Sequence, residues 1–304
     1  MKMKLFAAAA ATAAIMSAVG VAQAEDLTEI RIGILGGENA SDRLKAYTCL
    51  EEKVEALMGV EASVFAPADY SGVIEGLLGG NLDLAWLGAS GYAAVYIADP
   101  EAVEPVLVKV NTDGSYGYYS IGFARVDSGI TSLDDMKEKV FAFGDPNSTS
   151  GYLIPSIEIP QKGYSMKPGE YFKDIKFSGG HEQTIVGVFN GDYDGGVTWA
   201  DGLGTWEEGF NSGALRKATD AGLVDMTEIR EIWRSDVIPE GPFVVRKSLP
   251  EDAKVKLTGL LASLPSMDPD CAYGVLAGDA KGLAPITHKA YVSVIEARKA
   301  KIKN

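Results

Sequence analysis

Short apolar runs alternate along this chain with longer stretches in which an apolar residue returns every three or four positions. Ile30-Arg31-Ile32-Gly33-Ile34-Leu35 alternates and stops at Gly36-Gly37, which predicts a strand and a turn. Ser41 then predicts the N-cap of a helix running to about Met58. A strand over 62–65, a helix over 70–78 and a buried strand over 82–87 follow, the last ending in Gly88-Ala89-Ser90-Gly91-Tyr92 ahead of another helix. Repeated β-α-β units imply mostly parallel sheets covered by helices, with ligands placed beyond the carboxyl ends of the strands.

Extended segments over 102–110 and 116–125 lead into Val126-Asp127-Ser128-Gly129-Ile130, where a second β-α series is expected to begin. It holds strands over 140–144, 175–177 and 195–199, a helix over 181–190, and Asp201 directly after the last strand. Residues 229–234 look extended, Pro242-Phe243-Val244-Val245-Arg246 would carry the chain back, and helices over 251–264 and 285–301 finish it. The expected architecture is α/β, with two α/β lobes, residues 25–125 plus 242–304 and residues 126–241. A ligand cleft lies between them, and domain closure around a ligand is the expected motion.

Residues 1–24 change the picture of where this protein works. Lys2 and Lys4 precede an apolar, alanine-rich run, and Ala22-Gln23-Ala24 has the small-x-small form of a cleavage site, so a signal peptide and a periplasmic mature chain starting at Glu25 are expected. No later stretch has the roughly 20 apolar residues of a membrane span. Cleavage would remove Lys2 and Lys4 and take the formal charge from −14 to −16, which disfavours nucleic acid and anionic membranes as partners. Cys49 and Cys271 are candidates for a disulfide in an exported chain, their proximity left open by the wide spacing. With His181 and His288 the only histidines and no clustered ligand pattern, neither a metal nor a cofactor is expected.

The candidate chemistry centres on Asp145-Pro146-Asn147-Ser148-Thr149-Ser150-Gly151, where a buried strand hands over to an apolar helical stretch. The first amides of a helix lack partners within it and carry the positive end of the macrodipole, so they and three hydroxyls suit an oxyanion without any lysine or arginine. An ordinary Ser/Thr N-cap is the competing interpretation. Likewise, His181 reads as a donor to an anion or as a second cap. Tyr47 and Tyr92 read as ligand-facing phenols or as core aromatics.

The whole pattern resembles the periplasmic phosphonate-binding proteins of ABC importers, within the type II periplasmic binding protein fold. The resemblance rests on Ile-Gly-Ile-Leu at 32–35, Leu-Asp-Leu-Ala-Trp-Leu-Gly at 82–88 with Tyr92, the Ser-Thr-Ser-Gly turn, Gly-Gly-His at 179–181 and Ile-Pro-x-x-Pro at 238–242. It implies that Ser148, Thr149 and Ser150 hold the phosphonate oxygens with His181, that Tyr47 and Tyr92 reach in from the first lobe, and that Asp201 faces the amine of an aminoalkyl ligand. Members that grip such a ligand tend to have aspartate just before the last proline, where this chain has Gly241. Glu240 is its neighbour, but adjacent side chains in an extended segment point to opposite faces. Methylphosphonate, phosphite or phosphate therefore stand as alternatives to 2-aminoethylphosphonate. The implied partner is an ABC permease of the inner membrane, and a monomer is expected, with a dimer as the alternative. An enzyme is the competing class, but there is no Gly-x-Ser-x-Gly elbow and no metal ligand set. A ligand-sensing lobe for a membrane receptor is a third reading.

Overall fold

A computed structural model describes residues 27–36 and 39–303; the expected signal peptide lies outside the described residues. The first lobe runs β1 (Glu29–Gly33), α1 (Ala40–Met58), β2 (Glu61–Phe65), α2 (Tyr70–Leu78), β3 (Leu84–Trp86), α3 (Ala89–Ala98) and β4 (Val103–Val110). The chain then enters β5 (Gly117–Arg125), β6 (Val140–Phe143), a π-helical turn (Thr149–Leu153), α4 (Pro155–Gln161), β7 (Asp174–Phe177), α5 (His181–Asn190), β8 (Gly195–Ala200), α6 (Ala214–Asp220), β9 (Ile229–Arg234) and β10 (Ile238–Pro239). It returns through β11 (Pro242–Arg246), α7 (Glu251–Met267), α8 (Pro269–Val275), β12 (Gly282–Pro285) and α9 (Val292–Lys303).

Among the described residues two sheets form, in the orders β12-β4-β11-β3-β1-β2 and β10-β5-β8-β6-β7, with β9 beside β5. They are mixed, not mostly parallel. β1 pairs parallel with β2 and β3, and β6 with β7 and β8, as the β-α-β pattern requires. The remaining pairs are antiparallel because β4, β5 and β11 are strands of the two crossings.

The first crossing lies in the turn after Val110, not near residue 126. Asn111 and Gly114 close that turn, the Asn111 carbonyl accepting from the Gly114 amide at 2.8 Å with Gly114 at φ +91°. β5 therefore belongs to the second sheet, where it pairs with β8, β9 and β10. The return crossing is Glu240-Gly241. Two local expectations also shift. Asn39, not Ser41, caps α1, its side chain accepting from the Ser41 and Asp42 amides. The helix expected over 285–301 starts later: Pro285 ends β12, which pairs with β4, and α9 begins only at Val292.

The first lobe, made of two chain segments, is tied three ways. Its core joins Ile30, Leu50 and Val54 to Leu257, Leu261 and Leu264 from the far end of the sequence. Asp83, fully buried, accepts from Arg31 of β1 at 3.0 Å and from Arg246 of β11 at 2.7 Å. Cys49 of α1 and Cys271 of α8 form a disulfide.

Candidate functional site

Gly144 to Gly151 form a loop whose polar groups are used up on one side and offered on the other. The Asp145 carboxylate accepts from the Asn147 amide at 2.6 Å and, across the lobes, from the Tyr70 amide at 3.2 Å. Ser148 is the N-cap, its hydroxyl accepting from the Gly151 amide at 2.9 Å. The turn then widens, with Leu153 and Ile154 donating five residues back to Ser148 and Thr149. Pro155 has no amide hydrogen for the Gly151 carbonyl, which accepts instead from Gly144 at 2.9 Å, while Ser120 donates to the Ser150 carbonyl at 2.7 Å. The amides of Thr149 and Ser150 stand in the first turn, where no carbonyl of the helix can reach them.

His181, the first residue of α5, is 6% exposed and contacts Ser148 Oγ through Nε2 and Thr198 Oγ1 through Nδ1, each at 3.2 Å. Burial, with Lys217 adding to it, pulls its pKa down to about 3. The ring is thus neutral across the ordinary pH range and carries one N–H between those two contacts. Beside it stands Tyr118, whose phenol hydrogen-bonds with the Ser150 and Thr149 side chains and whose pKa burial raises.

These groups line a cavity of about 120 Å³ between the lobes. Of the residues singled out in the sequence, Tyr47, Ser148, Thr149, Ser150 and His181 line it together. The Thr149 hydroxyl also accepts from the Ser90 amide at 2.8 Å, so the turn touches the opposite lobe at the start of α3. Tyr92 and Asp201 are placed elsewhere. Tyr92 packs in the first lobe against Tyr96 and Tyr291, its hydroxyl on His288 Nδ1 at 3.0 Å, and burial pushes its pKa up to about 12. The Asp201 carboxylate, 2% exposed, lies behind the cavity wall, accepting from Ser212 Oγ at 3.0 Å and the Leu203 amide at 3.1 Å. Ser212 in turn accepts from Lys109 of β4, so this buried chain joins the two lobes.

The sequence reading missed several lining residues. Trp86 and Trp199 meet edge to face at 6.3 Å, and Tyr118 meets Trp199 at 5.6 Å, giving the cavity an aromatic wall. Trp86 is the last residue of β3 and Trp199 the penultimate one of β8, at the carboxyl ends where parallel α/β sheets place their ligands, a signal available in the sequence. Lys217 and Arg43 bring positive charge to the lining, which the sequence reading of the hydroxyl turn did not require. Arg43 donates to the Leu35 and Pro67 carbonyls at 2.8 and 3.1 Å.

Glu240 and Gly241 both reach the cavity, because here the chain is passing between sheets and strand alternation does not govern it. A Cβ on Gly241 would lie 1.9 Å from the Leu87 carbonyl oxygen. Glu240 is 4% exposed, burial raises its pKa to about 7 against the opposing pull of Lys109, and its Oε2 has no hydrogen-bond partner. Among the described residues no cluster of three or more His, Cys, Asp or Glu is placed to hold a metal.

Residues 32–296 match the family model described as ABC transporter, phosphonate, periplasmic substrate-binding protein. The chain is 28% identical over 280 residues to the phosphate-import protein of Mycolicibacterium smegmatis, covering 87% of this chain and 83% of that one. It is 29% identical over 232 residues to the phosphonates-binding periplasmic protein of Escherichia coli, covering 75% and 64%. In fold it is similar to the binding component of an ABC phosphonate transporter from Pseudomonas aeruginosa (TM-score 0.76, 24% identity, 91% of this chain and 88% of that one). A Prochlorococcus marinus protein in complex with methylphosphonate gives a TM-score of 0.74 at 18% identity, over 91% and 99%. With two α/β lobes around a cavity and a family match that spans most of its length, the chain belongs to the periplasmic phosphonate substrate-binding proteins of ABC transporters.

Proposed function

We infer that this chain captures a phosphonate between its lobes and delivers it, as a monomer in the periplasm, to an ABC permease of the inner membrane. The observation that carries this is the convergence of Ser148, Thr149, Ser150 and His181 on one cavity. Hydroxyls and first-turn amides supply donors to three oxygens of a phosphorus oxyanion, and the neutral His181 ring, held between Ser148 and Thr198, orients the Ser148 hydroxyl at the turn. The aromatic wall of Trp86, Trp199 and Tyr47 gives an organic substituent an apolar surface, which favours a phosphonate over phosphate. The Thr149 bond to the Ser90 amide belongs to a closed arrangement of the lobes, the form a permease would accept. Phosphate or phosphite is the second reading, and the similarity to a mycobacterial phosphate-import protein favours phosphate.

Calorimetric titration of the ligand-stripped protein with 2-aminoethylphosphonate, methylphosphonate, phosphite, phosphate and sulfate tests this reading. Tight binding of one phosphorus compound supports it, and silence across the panel refutes it. Ser150→Ala should weaken the preferred ligand by about 1–3 kcal/mol, the scale of a lost partner for a buried polar group. Unchanged affinity in that variant would take the hydroxyl turn out of the site. Uptake of labelled ligand by cells lacking the protein separates transport from the sensing of a ligand for a receptor.

A further inference from the structure

Glu240 has a buried carboxyl group that none of the roles above uses. Its main chain is fixed, the amide donating to the Tyr116 carbonyl at 3.2 Å and the carbonyl accepting from the Tyr291 hydroxyl at 3.0 Å. Trp86 Nε1 holds the next carbonyl, Gly241, at 3.0 Å. The strand crossing therefore brings Glu240 to the cavity that the hydroxyl turn and His181 also line, with its Oε2 buried and unpartnered.

The charged and titratable groups around it come from several elements. Lys109 on β4 attracts it, but that ammonium already donates to Ser212. Asp201, after β8, repels it. Tyr118 on β5 and Tyr291 ahead of α9 feel its charge as uncharged phenols. His181, Lys217 and Arg43 complete the lining, with His181 neutral. A phosphorus dianion entering this cavity comes into the neighbourhood of a buried carboxylate. Two like charges so placed force one of the groups to take a proton.

We propose that Glu240 completes the ligand site as a carboxylic acid, donating a hydrogen bond to the bound phosphorus oxyanion, so that capture of a dianion takes one proton from solution. This rests on the reading of the cavity as a phosphorus-oxyanion site. In the balance one O–H bond forms on Glu240 and no bond breaks in the ligand; a monoanion brings the same proton with it. The specificity follows, since the site favours oxyanions that share a proton with this carboxyl group. Glu240 already titrates at about 7 before a ligand arrives, and a bound anion raises it further. Below about pH 7 the acid is protonated in both states and adds no pH dependence. Above that, affinity for a dianion falls by up to about tenfold per pH unit until the bound-state value is passed.

The test is calorimetry with phosphite and methylphosphonate at about pH 9, where both are mainly dianions, in two buffers of different ionisation heat. Wild-type protein should take up close to one proton per ligand. Glu240→Gln, which keeps the shape and a donor, should take up none, bind at least as tightly at that pH, and lose the decline in affinity. A carboxylic-acid C=O band should appear in the infrared difference spectrum on binding and be absent in the variant. No proton uptake in the wild type overturns the proposal, as does uptake that survives in Glu240→Gln, which would point to His181. Absence of binding by every phosphorus oxyanion at any pH removes the underlying reading and this proposal with it.

Discussion

Replacing Gly241 by aspartate is expected to abolish ligand capture, although the substitution restores the residue that aminoalkylphosphonate binders tend to carry. The obstacle is the first atom of the new side chain. Its Cβ would sit 1.9 Å from the Leu87 carbonyl oxygen and 2.8 Å from Gly88 Cα, both backbone atoms that no rotamer change can move. Relief requires β11 to part from the Leu87 segment, whose amide donates to the Pro242 carbonyl at 2.9 Å, and Trp86 to lose its bond to Gly241. Gly88 and the Ser90 amide that meets Thr149 move with that segment. We expect a stability loss of about 1–3 kcal/mol or more, as for overpacking in a filled interior, together with at least a hundredfold weaker binding. Gly241→Ala should show most of both effects, since the clash lies at Cβ. Thermal melts and titrations of the two variants check this. An aspartate variant with wild-type stability and new affinity for 2-aminoethylphosphonate would show that the backbone here yields easily.

Loss of the Cys49–Cys271 disulfide should be the largest purely structural effect. The bridge spans 222 residues of sequence, and closing so long a loop removes considerable freedom from the unfolded chain, about 5 kcal/mol in the simple entropic account. Measured effects usually fall short of that figure, so Cys49→Ser with Cys271→Ser is expected to cost roughly 2–5 kcal/mol. The bridge joins α1 to α8, and Gly274 and Val275 at the end of α8, with Ala277 just after it, line the cavity. Ligand affinity should fall as well, though less than stability. Denaturant titration of oxidised protein, reduced protein and the double variant reads the effect directly. Coincident midpoints would mean that α1 and α8 hold each other by packing alone.

Much of this fold was legible because period and punctuation agree in it. β9 and β11 lie where the sequence places them, and α2 and α5 match to the residue. What escaped was relational. β5 reads as an apolar strand in either lobe, and only its pairing with β8 and β9 assigns it to the second. Tyr92 and Tyr47 are the same residue type on two helices of the first lobe, but one packs toward α9 and the other lines the cavity, a difference set by how each helix packs. Asp201 does follow a strand's carboxyl end, yet Ser212 and the Leu203 amide occupy its carboxylate. Glu240 was set aside on the rule of strand alternation, which lapses where the chain leaves one sheet for another.

The place of β11 has a consequence for how the molecule is made. In the first sheet it lies between β4 and β3, although 131 residues separate the end of β4 from the start of β11 (242 − 110 − 1). On a chain emerging from its N-terminus, β1, β2 and β3 can assemble early, but β3 presents an open edge and β4 has nothing to join until residues 242–246 arrive. The second lobe, continuous from β5 to β10, can finish folding in that interval. The first lobe thus waits with a hydrophobic strand edge exposed, the condition under which chains pair wrongly with one another. A nascent chain stalled just short of Pro242 would have its oxyanion turn built and its partner lobe still seeking a strand.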